Sequence, residues 1–292
     1  MIPVCDVQNS KGDSGFMLSK VGVRGVRKPV CIKREIDGND LNGMLFCSID
    51  VFVDLPAVQK GSHLSRNLEA IREVIDESVS TPITGIENLA VTICKKLLIK
   101  HEYASVANVS IEAEYFKDTK TPNGRDTMES YKLSGKAKGV RGESVRKTLG
   151  VEVIGMTACP CAQQTVTEML EYPQGWPVMS HNQRNVCTVI MEMDESCNVE
   201  ANGLIDLIES SFSSPTFELL KRDDEGSVVI NAHRNPKFVE DVVRGALVRI
   251  VDAYKGLPDD VGLIVRSESE ESIHKHNAFA ERSCTLGELR NE

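Results

Sequence analysis

The chain has 292 residues, 41% of them hydrophobic and 26% charged, which is the balance of a globular protein of one large or two modest domains with a real apolar core. A net charge of -9 argues against a nucleic-acid backbone as partner. No apolar run reaches the ~20 residues of a membrane span, and nine scattered cysteines with no secretory-type N-terminus predict reduced thiols in a cytoplasmic protein.

In chain order, a short polar start precedes two expected strands, over residues 16–34 and 43–54. Leu68, Ile71 and Ile75 repeat at helical spacing within 65–76, and Ile86, Leu89, Ala90, Ile93 and Leu97 do so more clearly. Val109, Ile111, Ala113 and Tyr115 alternate with Ser110, Glu112 and Glu114, the pattern of a strand with one wet face. A further strand is expected over 127–133. Residues 134–147 then place Gly135, Gly139 and Gly142 among Lys136, Lys138, Arg141, Arg146 and Lys147, which reads as a solvated basic linker or long hairpin. Beyond it come strands over 151–156 and 185–193 and a helix over 200–212. A second helix carries Val239, Val243, Ala246, Ile250 and Tyr254 on one face and starts after Asn235-Pro236. Strands over 261–266 and near 277–284 close the chain. The order strand-strand-helix-helix-strand-strand therefore occurs twice, in residues 1–140 and 141–292. That is an α+β architecture of two tandem modules, each an antiparallel sheet with helices on one face. Cys94, on a helical face, and Cys187, in a strand, read as packing residues.

Four segments carry chemistry. Cys159-Pro160-Cys161 ends a strand, where alternate positions point the same way, so both sulfurs could face one site suited to zinc or ferrous iron. The competing reading is a pair of buried thiols. Ser180-His181-Asn182-Gln183-Arg184 precedes a strand, placing His181 at a sheet end in a dense polar turn. Glu270 to His276 sets His274 and His276 alternately along an extended stretch behind carboxylates; an acidic surface loop would look the same. Lys60 to Arg66 lies before a helix, where N-termini bind phosphate, although an ordinary cap near Ser65 explains it equally.

Taken together, these segments resemble a known family. Asp6-Val7-Gln8, GSHLSRN at 61–67, CPC at 159–161, SHNQR at 180–184, KRDDEG at 221–226, NPKFVED at 235–241 and ESIHKH at 271–276 are similar in order and spacing to the type IB GTP cyclohydrolases, within them the archaeal methanopterin-pathway subgroup. The resemblance spans nearly the whole chain. It implies the tunnelling fold, a homotetramer with active sites at subunit interfaces, and GTP as substrate. It also implies one divalent metal per subunit, ferrous iron with zinc or manganese as alternatives. Carried over by motif, Cys159, His181, Glu225 and His274 would be the metal ligands, and Cys161 a near neighbour. Glu271 would anchor guanine by its donor edge, and Arg66, Arg184 and His63 would serve the phosphates. Glu240 and His276 would move protons. The implied reaction attacks carbon 8 of guanine, opens the imidazole ring, releases formate and yields a 7,8-dihydroneopterin phosphate, the 2′,3′-cyclic phosphate in this subgroup. Residues 162–179, with Pro173, Trp176 and Pro177, form an insertion relative to bacterial members. Two other functions fit the same residues: a nitrile reductase-like enzyme of this fold using Cys159 as nucleophile, and a non-catalytic protein with a closed structural metal site.

Overall fold

A computed structural model describes residues 7–12, 14–36, 39–170, 173 and 175–292. Cys5 and Asp6 lie outside them. A 3-10 turn at Val7–Asn9 leads to β1 (Leu18–Ile36), β2 (Asn39–Leu55), α1 (Leu64–Ser80), α2 (Ile86–Lys100), β3 (Val106–Lys120) and β4 (Asp126–Val140). From there the chain forms β5 (Arg146–Ala158), α3 (Pro160–Leu170), β6 (Asn182–Asp194), α4 (Ala201–Glu209), β7 (Ser214–Pro215), α5 (Arg222–Arg234) and α6 (Val239–Ala253). It ends in β8 (Gly262–Ser269), β9 (Ala278–Thr285) and α7 (Leu286–Arg290). The architecture is mixed α and β with an antiparallel sheet in the order β1-β2-β3-β4-β5-β6-β8-β9, and β7 pairs with β5. Among the described residues no helix is long and apolar enough to cross a membrane.

Two compact units can be distinguished. The first runs through Glu114 and takes in Leu133–Leu149 and Glu192–Asn198; the second comprises Tyr115–Lys132, Gly150–Met191 and Val199–Glu292. In the first, β1 and β2 pair antiparallel, with Val26 opposite Ile49 and Val30 opposite Leu45, and β2 pairs with β3 through Ile49 opposite Ile111. Ala70, Ile71 and Val74 of α1 and Leu89, Ile93 and Leu97 of α2 are buried along with the inward residues Ile49, Val51 and Ile111 of these strands. The apolar stripes at three and four residue spacing are therefore the buried faces. In the second, Leu204, Ile205 and Ile208 of α4 and Val242, Ala246 and Ile250 of α6 are buried with Leu263 and Val265 of β8. Phe212 is also buried, and a Cβ on Gly155 would fall 2.1 Å from its ring, so only glycine allows β5 to pass there.

The structure corrects several local expectations. Residues 134–147 are not a linker: β4 continues to Val140 and β5 begins at Arg146. Gly135, Ala137 and Gly139 fill the inward positions and Lys136 and Lys138 the outward ones, so the alternation is present without large apolar side chains to reveal it. Lys147 is buried, and its ammonium donates to Asn88 Oδ1 at 2.7 Å. The helix expected to reach Phe212 stops at Glu209. Helices α3, α5 and α7 lie outside the expected elements. No residue of α3 is buried, and α5 buries only Asp224, Val228 and Ala232.

Candidate active site

In the second unit the ends of β5, β6 and β8 are joined by a buried lattice of small polar groups. Thr157 Oγ1 lies 3.2 Å from Ser269 Oγ, Asn185 Nδ2 donates to Ser269 Oγ at 2.9 Å, and Ser267 Oγ donates to Asn185 Oδ1 at 2.8 Å. Gln183 Nε2 donates to Thr157 Oγ1 at 3.3 Å. The lattice fixes three chain ends that carry the motifs.

At the first end, Ala158 donates its N–H to Ser213 Oγ at 3.1 Å and accepts the Lys237 N–H at 3.0 Å. Cys159 follows, and Pro160 opens α3, the position where a missing N–H costs nothing. Cys161 is thus in the first helical turn and exposed, while Cys159 is half-buried. The strand alternation expected to align both sulfurs does not hold, because the strand has already ended. Cys159 donates its N–H to His181 O at 3.1 Å, and its carbonyl accepts Ser180 Oγ at 2.7 Å. Its sulfur accepts the Ala162 N–H at 3.4 Å.

At the second end, His181 Nδ1 is 2.9 Å from Gln183 Oε1. An amide oxygen only accepts, so Nδ1 carries the hydrogen and the Nε2 lone pair is left for a metal or a proton. At the third end, Glu270 N–H donates to Arg184 O at 2.9 Å and so sets the following segment beside β6. That segment bends instead of extending as expected. Glu271 Oε2 comes within 3.8 Å of His181 Nδ1. The His274 ring stands edge-on to His181 with centroids 6.3 Å apart, and His276 stacks on His274 at 5.3 Å.

The remaining residues expected at the site are placed as follows. Arg184 is exposed on β6, Glu225 exposed in the first turn of α5, and Glu240 exposed in the first turn of α6. Among the described residues, the carboxylate beside the His181 ring is that of Glu271. Among the described residues no three His, Cys, Asp or Glu groups converge closely enough to hold a metal. The donor set itself suits one: a sulfur with an N–H donor and an imidazole with its Nε2 open are ligands of ferrous iron, zinc or manganese. Gln183, Asn185, Thr157 and Ser269 had been given no role. Their signal was a polar residue at an inward strand position, as Gln183 and Asn185 precede the buried Cys187, Val189 and Met191 at the same phase.

The first unit holds the GSHLSRN segment. Lys60 N–H donates to Ser10 O at 2.8 Å and Gly61 N–H to Gln8 O at 3.1 Å. His63, not Ser65, occupies the N-cap of α1, without a side-chain cap bond, and its Nε2 lies 3.2 Å from Asn9 Oδ1. Arg66 donates to Lys100 O at 3.2 Å. Behind the segment runs a chain of contacts: Ser62 Oγ to Tyr103 Oη at 2.8 Å, Tyr103 Oη to His101 Nδ1 at 2.9 Å, and His101 Nε2 to Asn67 Oδ1 at 2.7 Å. His101 is fully buried. Burial, and then the positive charges of Arg66, His63 and Lys100, push its pKa down to about 4.

The sequence model of the type I GTP cyclohydrolase folE2 family matches residues 4–280. The chain belongs to this family. It is 44% identical over 303 residues to "GTP cyclohydrolase MptA 1" of Methanocella arvoryzae, covering 98% of this chain and 95% of that protein. It is 44% identical over 305 residues to "GTP cyclohydrolase MptA" of Methanothermobacter thermautotrophicus, at 98% and 95% coverage. "GTP cyclohydrolase MptA" of Methanococcus aeolicus is 41% identical over 308 residues, at 99% and 99% coverage. Among solved structures, the uricase from Arthrobacter globiformis superposes with a TM-score of 0.52 at 6% identity, covering 91% of this chain and 93% of that one. That likeness concerns fold alone, and the fold shared is the tunnelling fold. The family expected from the motifs is therefore the one found, and the chain is an enzyme of the GTP cyclohydrolase class. Family membership sets aside the nitrile reductase-like and non-catalytic readings.

Proposed function

We propose that this protein is a metal-dependent, cytoplasmic GTP cyclohydrolase of methanopterin-type pterin biosynthesis, forming 7,8-dihydroneopterin 2′,3′-cyclic phosphate and formate from GTP. The relatives named GTP cyclohydrolase MptA support the substrate and the pathway. The observation that carries the chemistry is the pairing of Cys159 with His181, whose Nδ1 is engaged by Gln183 while Nε2 is left open.

In this reading Cys159, His181 and His274 hold one divalent ion, ferrous iron ahead of zinc or manganese, and Glu225 is the carboxylate candidate that completes the set. When bound, the ion supplies a Lewis acid that brings the pKa of a water from ~15.7 to near neutrality. Glu271 accepts from the N1–H and 2-amino donors of guanine, a charge-assisted pair that orients carbon 8. His63, Arg66 and Arg184 donate to the phosphates. His276, stacked on His274, and Glu240 carry protons as the imidazole ring opens and formate leaves. The two strand-strand-helix-helix-strand-strand modules, 1–140 and 141–292, would assemble as a homotetramer with active sites at subunit interfaces.

Product analysis tests the finer assignment. Anaerobic incubation with GTP and ferrous iron, read by mass spectrometry, should give the cyclic monophosphate and pyrophosphate. A dihydroneopterin triphosphate as the sole pterin would overturn the product assignment while leaving the cyclohydrolase intact.

A further inference from the structure

Two side chains outside the proposed ligand set fasten it. Gln163 lies early in α3, and its Nε2 faces two carbonyl oxygens, Val178 O at 2.8 Å and His233 O at 2.6 Å. A side-chain amide nitrogen has two hydrogens, and both are used. His233 lies in the last turn of α5 and also faces two carbonyls: Nδ1 is 2.8 Å from Val229 O, and Nε2 is 3.2 Å from Ser180 O. Carbonyl oxygens only accept, so each contact is a bond where the facing ring nitrogen carries the hydrogen.

Ser180 is where these bonds meet the site. Its carbonyl faces His233, its hydroxyl donates to Cys159 O, and the next carbonyl, that of His181, accepts the Cys159 N–H. Gln163 closes the loop from the other side, since its own backbone N–H donates to Cys159 O at 3.2 Å. The chain segment before His181, the start of α3 and the end of α5 are thereby tied into one clasp around Cys159. Without it, residues 178–181 would keep the Ser180 and Cys159 bonds and the His181–Gln183 bond, but lose their ties to α3 and α5.

We propose that Gln163 and His233 are positioning residues that fix the segments carrying Cys159 and His181 against each other, an inference that rests on the metal reading above. Neither is itself a ligand. Groups that orient metal ligands in this way change metal affinity by roughly 10–100-fold when removed.

Cobalt(II) is the probe, added to the full-length apo-protein. Wild type should show a sulfur-to-cobalt charge-transfer band that Cys159→Ala lacks. Gln163→Met keeps the length but removes both donors; it should weaken cobalt binding by roughly 10–100-fold and shift the ligand-field bands. His233→Gln keeps one donor and should weaken binding less. Arg290→Met breaks the ion pair with Asp259 in the same unit; it should lower Tm and leave cobalt affinity unchanged. If Gln163→Met and His233→Gln lower Tm but bind cobalt as wild type does, the clasp is overturned. Should Gln163→Met fail to fold, His233→Gln decides on its own. No charge-transfer band in wild type would instead overturn the metal reading, and the clasp with it.

Discussion

The two units each present a histidine beside small polar groups, and the two are built to opposite ends. In the first unit, His101 has both ring nitrogens engaged, by Asn67 and by Tyr103, and no exposure. In the second, His181 has one nitrogen engaged by Gln183, and its ring meets that of His274, on which His276 stacks. A histidine saturated on both sides and buried is a neutral structural strut. One held by a single nitrogen, next to a half-buried thiol and a carboxylate, is oriented for a ligand or a proton. Sequence proximity does not separate them, because both stand in polar surroundings at the end of an element.

The contrast predicts effects of different kinds. The largest is at the ligands: Cys159→Ala should abolish metal binding and pterin formation together, whereas a strut residue would remove stability first.

His101 should show itself through pH. Its folded pKa of about 4 lies below the ordinary 6.5. Between those values the unfolded chain binds the proton and the folded chain does not, so stability falls as pH drops from 6.5 toward 4. The loss attributable to this residue is on the order of 3 kcal/mol. Denaturant melts across that window should be visibly flatter for His101→Gln than for wild type; equal slopes would remove the strut assignment.

Glu271→Gln is next. It exchanges a carboxylate for an amide whose nitrogen would face a guanine donor, and kcat/KM for GTP should fall roughly 10–100-fold while metal content stays at wild-type level. Loss of metal in this variant would make Glu271 a ligand and not a substrate anchor.

Cys94→Ala should do least. The thiol is fully buried, lies 3.5 Å from Ala107 O, and is pushed up to about 12 by burial. A cost of about 1 kcal/mol in stability, with turnover unchanged, is expected.

Much of the fold was legible where burial and apolar periodicity coincide, as in α1, α2, α6 and β3. It was hidden where they part. The buried stripe of α5 begins with a charged residue, Asp224, which accepts from the Asn123 N–H and pairs with Arg125. α3 has no buried residue at all, and its one sequence signal, Pro160, suits a helix start as well as a strand end. β4 turns glycine and alanine inward, so its lysines looked like a loop. At the site, the motifs at 159–161, 180–184 and 271–276 were legible, but not how they meet in space. That depends on Gln163, His233 and the Thr157–Ser269–Asn185 lattice, which bond across elements far apart in sequence and leave no periodic trace.

In the proposed reaction, the open imidazole of His181 and the thiol of Cys159 serve a hydrolytic attack on carbon 8 of GTP. The most direct test supplies GTP labelled with carbon-13 at that atom to the metal-loaded enzyme under anaerobic conditions and follows both products by NMR. Labelled formate should appear in step with dihydropterin, and neither product should form with Cys159→Ala. Release of pterin without labelled formate, or no formate with ferrous iron, zinc or manganese, would contradict it.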